Sequence, residues 1–145
     1  LALLAQLLKQ RSHVTIEHVL SGPGILNLYN ALAVLRGAKP ELFTPSQITK
    51  AAQAGNDALA RETLETFCGL LGSVIGDMAL TYGVQGGIRL AGGILPQIRD
   101  FLPTSDFVAR FLNKGPMRTA LERIPVRLVE HGQLGVVGAA HWYLN

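Results

Sequence analysis

Apolar residues recur every three or four positions along most of the chain, a spacing typical of amphipathic helices. The longest run includes Leu64, Phe67, Leu71, Met78 and Tyr82, and it predicts a helix from residue 56 to about residue 82. Shorter runs predict helices over residues 1–10, 12–20, 23–37, 44–55, 94–101, 105–111, 117–123 and 136–144. Two short apolar stretches, residues 88–91 and 126–129, instead predict buried strands. The order of these elements indicates an α/β domain in which helices outnumber strands.

Turn and capping residues mark the start of the first helices. Thr15 is expected to cap the helix over residues 12–20, which places Glu17 in its first turn. The sequence Ser21-Gly22-Pro23-Gly24 predicts a turn, and its proline suits the first turn of the helix that follows.

Three later helices carry similar signals. Thr44 or Ser46 is expected to cap the helix over residues 44–55, which follows a proline-containing linker over residues 39–45. Ser105 is expected to cap the helix over residues 105–111. Pro96 interrupts the helix over residues 94–101, because proline has no amide hydrogen to donate.

The long helix contains three glycines, Gly69, Gly72 and Gly76. Each glycine in a helix interior costs roughly 0.5–1 kcal/mol relative to alanine. We therefore expect another helix or a strand to approach the long helix closely at these positions.

The composition fits one domain over residues 1–145, with a weakly charged surface. Charged residues make up 16% of the chain, compared with about 25% in a typical soluble domain. A net charge of +3 without a cluster of basic residues argues against nucleic-acid binding. A single cysteine excludes an internal disulfide framework. No apolar run approaches the roughly 18 residues that a membrane span needs, so we expect no membrane partner.

The low charge also suggests that part of the surface is covered. A partner could cover it, or the chain could be a piece of a larger protein. Two short strands make a poor sheet by themselves, and the sequence starts at Leu1 rather than at a methionine. The sequence therefore predicts that strands are missing upstream.

Two glycine turns are candidate ligand sites. Gly92 and Gly93 follow the strand over residues 88–91, where a bare backbone lets a ligand approach and the next helix offers amide donors to an anion. Gly22, which follows Ser21, opens a helix in a similar way. The alternative interpretations are a plain strand-to-helix turn and a plain helix-to-helix connection.

Glu17 is the candidate ligand among the acidic residues. Its carboxylate could accept hydrogen bonds from the hydroxyl groups of a polyol, because a carboxylate accepts such bonds and donates none. The alternative is a first-turn carboxylate that favours the helix dipole.

Residue spacing argues against a metal centre. The histidines are His13, His18, His131 and His141. They lack metal-ligand spacing, and Cys68 falls on the apolar face of the long helix, where it is expected in the core. Trp142 and Tyr143 are expected to be core anchors.

The separate turns together form a known pattern. Residues 17–29, EHVLSGPGILNLY, resemble the E-R-V-L-S-G-P-G-hydrophobic-x-N-L-Y stretch of bacterial glucokinases. Residues 86–96, GGIRLAGGILP, resemble the G-G-x-x-x-A-G-G-I-x-P segment of that family. Residues 107–115, 124–126 and 135–140 follow in the family's order, and the likeness extends from about residue 14 to residue 144. The resemblance implies the C-terminal half of the larger lobe in a ribonuclease H-like fold of the hexokinase and actin-like ATPase superfamily.

The resemblance also implies roles for the candidate residues. Glu17 would contact hydroxyls of bound glucose. Ser21 and Gly22 would lie beside the nucleotide, and Gly92 and Gly93 would leave room for the nucleoside of ATP. Residues 135–140 would form the small-residue helix on which the two lobes hinge.

Several family motifs have no counterpart in this chain. The D-x-G-G-T phosphate hairpin, the Asn-Asp pair with the catalytic base, the G-T-G-x-G turn and the G-E-G-G-H sugar motif all lie upstream in the family. We therefore expect that this chain contains no catalytic residue and that, alone, it does not phosphorylate glucose. Mg²⁺ would arrive with ATP, held mainly by phosphates and water.

Other functions remain open at this point. A sugar-sensing regulatory domain could keep the fold and lose catalysis, and a helical interaction module could use its glycines for structure alone. The family resemblance further implies a cytoplasmic protein and a homodimer, which depends on the missing N-terminal part for activity.

Overall fold

The computed structural model describes residues 1–9 and 11–130. The predicted turn at residues 132–135, the predicted helix over 136–144, the hinge segment 135–140, His131, His141, Trp142 and Tyr143 lie outside the described residues. The described helices are α1 (Ala2–Leu8), α2 (Gly22–Arg36), α3 (Pro45–Ala54), α4 (Ala58–Thr81), α5 (Phe107–Leu112) and α6 (Arg118–Leu121). Two strands, β1 (Ile88–Leu90) and β2 (Val126–Leu128), complete a helix-rich fold with few strands, as predicted.

Helix α4 is the centre of the fold, with α2, α3 and α5 packed against it. Its buried face includes Leu64, Phe67 and Cys68, and the same core contains Ile25 and Leu28 from α2. By length and composition α4 could also cross a membrane, with a mean hydropathy of 1.2 in its most apolar window. Half of that window is buried inside the protein, as expected for a core helix.

Capping residues set the bounds of the predicted helices. The Thr44 hydroxyl accepts a hydrogen bond from the Gln47 amide at 3.2 Å, and the Gln47 side chain accepts one in return, so α3 begins with a capping box. Helices α2 and α3 end at Gly37 and Gly55, whose φ angles of 63° and 73° belong to the left-handed region. The predictions for these two helices are confirmed.

Glycines let α5 approach the backbone of α4. A β-carbon at Gly72 would overlap the backbone carbonyl of Phe107, and one at Gly76 would lie 2.7 Å from the carbonyl oxygen of Phe111. At Gly69 the nearest atom would be the Arg110 side chain at 3.6 Å, an ordinary contact. The predicted close approach is confirmed, and it is tightest at Gly72 and Gly76.

The predicted helix over residues 12–20 is wrong. The segment forms a single turn, in which the Leu20 amide donates to the Ile16 carbonyl at 2.7 Å. Thr15 does cap this turn, because its hydroxyl accepts the His18 amide at 3.3 Å. The turn ends at Ser21, which is extended with a φ of −150° and caps α2, and the Asn27 side chain of α2 binds the His18 carbonyl.

Residues 94–123 contain a helix in each predicted segment, but each helix is shorter than predicted. Residues 94–101 form only a short 3-10 helix, Leu95–Ile98, with its buried residues three apart. Ser105 is extended, and its hydroxyl accepts the Phe107 amide at 3.2 Å, so α5 begins two residues later than predicted. Further 3-10 turns cover Leu102–Thr104 and Gly115–Met117.

The two predicted strands pair in parallel. Ile88 is opposite Val126 and Leu90 is opposite Leu128. The amide of Val129 extends the pairing by donating to the Leu90 carbonyl at 2.8 Å. Residues 91–125 make the crossover, so the chain leaves the carboxyl ends of both strands at the same edge of the sheet.

Candidate functional site

Glu17 lies in a turn of residues 15–20, named here the Glu17 turn, between α1 and α2. Its side chain is exposed, and no hydrogen bond or ion pair from the described part of the chain engages its carboxylate. The Ser21 hydroxyl donates to the Glu17 backbone carbonyl at 2.7 Å. The backbone of Glu17 is therefore anchored while its carboxylate stays available to accept hydrogen bonds from a ligand.

The first turn of α2 is fitted to the Glu17 turn. A β-carbon at Gly24 would lie 2.6 Å from the Val19 carbonyl, so only glycine permits this contact between backbones. The Asn27 side-chain amide donates to the His18 carbonyl at 2.9 Å. Sequence reasoning placed Gly24 only within the Ser21–Gly24 turn and gave Asn27 no role, although both lie inside the family-like stretch of residues 17–29.

The His18 side chain links the Glu17 turn to the segment before it. An Arg11 guanidinium nitrogen lies 2.8 Å from His18 Nε2, and the Thr15 hydroxyl lies 3.1 Å from Nδ1. The Thr15 backbone amide also donates to Nδ1 at 3.1 Å, so groups of the preceding segment engage both ring nitrogens. His18 thus has a structural role in the turn, in line with its lack of metal-ligand spacing.

The N-terminus of α2 offers few backbone donors. The Ser21 hydroxyl accepts from the Gly24 amide at 3.0 Å, and Pro23 has no amide hydrogen. Gly22 is half-buried, with open space where a β-carbon would be. Because Ser21 gives its one hydroxyl proton to Glu17, only its remaining lone pair can face a ligand.

Gly92 and Gly93 form an exposed pair that is separated from β1 by Ala91. A β-carbon at Gly93 would meet no atom within 4 Å, and one at Gly92 would meet only the end of the Leu95 side chain at 3.8 Å. The Gln97 side-chain amide donates to the Gly93 carbonyl at 3.3 Å and links this loop to the 3-10 helix that follows it. Among the described residues, none fills the space where a side chain at Gly93 would lie.

An exposed ion pair lies next to this loop. Arg99, which follows the glycine pair, binds Glu130, two residues beyond β2, at 3.0 Å. Because both side chains are exposed, the pair contributes little stability.

The two candidate regions rest on one core without touching. Ile25, at the start of α2, and Leu95, after the glycine pair, belong to the same buried cluster. Among residues 1–9 and 11–130, no hydrogen bond or ion pair joins the Glu17 turn to the glycine pair. The fold therefore holds Glu17, Ser21 and Gly22 as one group and Gly92 and Gly93 as another.

The remaining candidate chemistry belongs to the core. Within the described residues no group of three or more His, Cys, Asp and Glu side chains could hold a metal ion. Cys68 is fully buried, and burial raises the pKa of its thiol to about 12. A thiol that stays protonated at neutral pH is not a nucleophile.

Comparison with known proteins identifies the pattern of these residues. The glucokinase family model matches residues 1–145. A glucokinase-like protein of Xylella fastidiosa is 59% identical over 99% of this chain, and a glucokinase of Saccharophagus degradans is 47% identical over 92%. The crystal structure of a glucokinase from an Antarctic psychrotroph superposes with a TM-score of 0.87 at 42% identity over 96% of this chain. The chain spans only 41–43% of these proteins' own length.

Proposed function

Since the chain belongs to the glucokinase family, we propose that it is the C-terminal part of a kinase that transfers the γ-phosphoryl group of ATP to O6 of glucose. The observation that carries the proposal is the Glu17 turn, which presents a free carboxylate on an anchored backbone within the family-like stretch. The relatives reported above are named glucokinase or glucokinase-like, which favours the kinase over a sugar-sensing regulator.

Glu17 is the proposed sugar ligand. Glucose presents several hydroxyl donors, and an ionised carboxylate accepts bonds from two of them. The anchored turn fixes the backbone from which this side chain extends, which reduces the ordering cost of binding.

Gly92, Gly93, Gly22 and Ser21 are the proposed nucleotide contacts. The open space above the glycine pair accommodates a nucleoside. The few free donors at the start of α2 suit a contact with sugar or base better than a phosphate cradle. The described residues contain no metal-binding cluster, so Mg²⁺ would be held by the ATP phosphates, water and the rest of the protein.

In the proposed reaction, glucose O6 attacks the γ-phosphorus and the bond from that phosphorus to the bridging oxygen of ADP breaks. The hydroxyl proton goes to a general base. The family resemblance puts that base and the phosphate cradle upstream of this chain. We therefore propose that the chain alone does not phosphorylate glucose.

One edge of β1 is unpaired within the described residues, which supports a sheet that continues into the rest of the protein. Ile88 and Leu90 bond to the β2 side through the Ile88 amide and the Leu90 carbonyl. Along a strand the bonding groups alternate between its two sides, so the Arg89 amide and carbonyl point away from β2. We propose that an upstream strand pairs here and completes a ribonuclease H-like sheet, with residues 1–145 contributing one domain unit.

The other partners follow from the same proposal. They are glucose, ATP, the N-terminal part of the protein and a second copy in a homodimer. The proposed setting is the cytoplasm, where both substrates are found, and the proposal involves neither nucleic acid nor a membrane.

An assay that couples glucose 6-phosphate formation to NADP reduction tests the proposal. We expect turnover by the full-length protein with glucose and ATP, and none by residues 1–145 alone. A folded full-length protein without glucose kinase activity would contradict the proposed function. Turnover by the isolated chain at a similar rate would contradict the assignment of the base to the upstream part.

A further inference from the structure

Asn27 makes the only side-chain hydrogen bond among the described residues that joins the body of α2 to the Glu17 turn. Its Nδ2 donates to the His18 carbonyl at 2.9 Å, and the contact is half-buried. Asparagine has a low helix propensity in a helix interior. At Asn27 the hydrogen bond to His18 offsets this cost.

The bond fixes a peptide unit next to the proposed sugar ligand. Ser21 holds the Glu17 carbonyl at 2.7 Å, and Asn27 holds the next carbonyl, that of His18. With two successive carbonyls held, the peptide planes on both sides of His18 have fixed orientations. The direction of the Glu17 side chain follows from the backbone orientation at that residue.

We propose that Asn27 is a positioning residue for sugar binding, acting through the Glu17 turn. The inference rests on the proposed function, since it takes Glu17 as the glucose ligand. Asn27 itself need not touch the substrate, since it acts through the amide hydrogen that it donates to His18. Its effect is to hold the Glu17 carboxylate where the sugar hydroxyls arrive.

The sharpest variant is Asn27→Asp in the full-length protein. It preserves the size of the side chain and replaces the donor with an acceptor, so two oxygens face each other where a hydrogen bond was. Asn30→Asp is the matched control, because Asn30 is exposed one turn further along α2 and hydrogen-bonds to no described residue. Both variants add the same charge to the same helix.

We expect Asn27→Asp to raise the KM for glucose about tenfold, while the KM for ATP changes less than about twofold. Amide hydrogen exchange in residues 15–20 is expected to speed up in this variant and to stay unchanged in Asn30→Asp. A variant that merely lost folded protein would lower kcat and leave both KM values unchanged. In a Glu17→Ala background, Asn27→Asp is expected to have no further effect on the KM for glucose.

Each outcome decides a separate point. Faster exchange with an unchanged KM for glucose would overturn the positioning role, and unchanged exchange would overturn the tether itself. An Asn27→Leu variant gives the same test if the aspartate variant fails to fold, since it removes the donor without adding charge. The wild-type full-length protein tests the proposed function separately. If it does not phosphorylate glucose, the proposed function is contradicted, and so is the sugar-positioning role that rests on it.

Discussion

The hydroxyl of Ser21 donates its only proton to the backbone carbonyl of Glu17, at 2.7 Å. The same hydroxyl caps α2 by accepting the Gly24 amide at 3.0 Å. Ser21, which is proposed to contact the nucleotide, is therefore hydrogen-bonded to Glu17, which is proposed to bind the sugar. One short turn connects the two halves of the proposed substrate site.

This connection predicts a shared effect of one substitution. Ser21→Ala removes both hydrogen bonds, so we expect the KM values for glucose and for ATP each to rise, by about threefold to tenfold. Steady-state kinetics of the full-length protein measure both values. Ser73→Ala is the control, since the Ser73 hydroxyl also bonds to a backbone carbonyl, inside α4. A change confined to one substrate would show that the two halves are independent.

The glycine pair predicts an effect on one substrate alone. Gly93→Val places a branched side chain in the open space above the loop, where the nucleoside is proposed to lie. We expect the KM for ATP to rise at least about tenfold, with the KM for glucose nearly unchanged. Gly86→Val is the matched control, because its side chain also meets open space, in the loop before β1. Equal effects of the two variants would remove Gly93 from the nucleotide site.

The packing of α4 against α5 predicts opposite effects for two glycines of one helix. Gly72→Ala puts a β-carbon into the Phe107 carbonyl, and we expect it to lower the free energy of unfolding by about 1–3 kcal/mol. Gly69→Ala has room and gains helix propensity, so it should raise that free energy by about 0.5–1 kcal/mol. Urea denaturation of the full-length protein measures both. Similar losses for both variants would contradict the described packing.

Cys68 predicts slow thiol chemistry and a loss of stability at high pH. Its ordinary pKa is 9.0 and burial raises the pKa to about 12 in the folded protein. Between pH 9 and 12 the unfolded chain loses this proton first, so the free energy of unfolding falls as the pH rises. We expect Cys68→Ala to flatten that part of the pH profile. A thiol reagent should label Cys68 only after denaturation, and rapid labelling of the native protein would contradict its burial.

Local sequence signals were sufficient where each element has its own start and stop. Thr44 with Gln47 begins α3, and Gly37 and Gly55 end two helices, because these residues act through their immediate neighbours. The glycines at 72 and 76 likewise indicated a close contact in α4. The apolar segments that became β1 and β2 were recognisable because both lacked helical spacing.

The sequence was misleading where distant side chains decide the backbone. Residues 12–20 form a turn in which the distant Asn27 side chain binds the His18 carbonyl, and the chain leaves the turn through an extended Ser21, with a φ of −150°. No periodicity within the segment reveals either feature. The candidate site shows the same limit: the motif pointed to Glu17, Ser21 and the glycines, but the tether through Asn27 became visible only when the turn and α2 were seen together.

The most direct test of the account is the contribution of Glu17 to the affinity for glucose. Glu17→Gln in the full-length protein retains the size of the side chain and removes the negative charge, which strengthens hydrogen bonds from the sugar hydroxyls. We predict a rise of about tenfold to a hundredfold in the KM for glucose, since bonds to a charged group contribute about 1.5–3 kcal/mol. Glu41→Gln, at another exposed glutamate, should leave that KM unchanged. An unchanged KM for glucose in Glu17→Gln would contradict the account and leave Glu17 as a surface carboxylate.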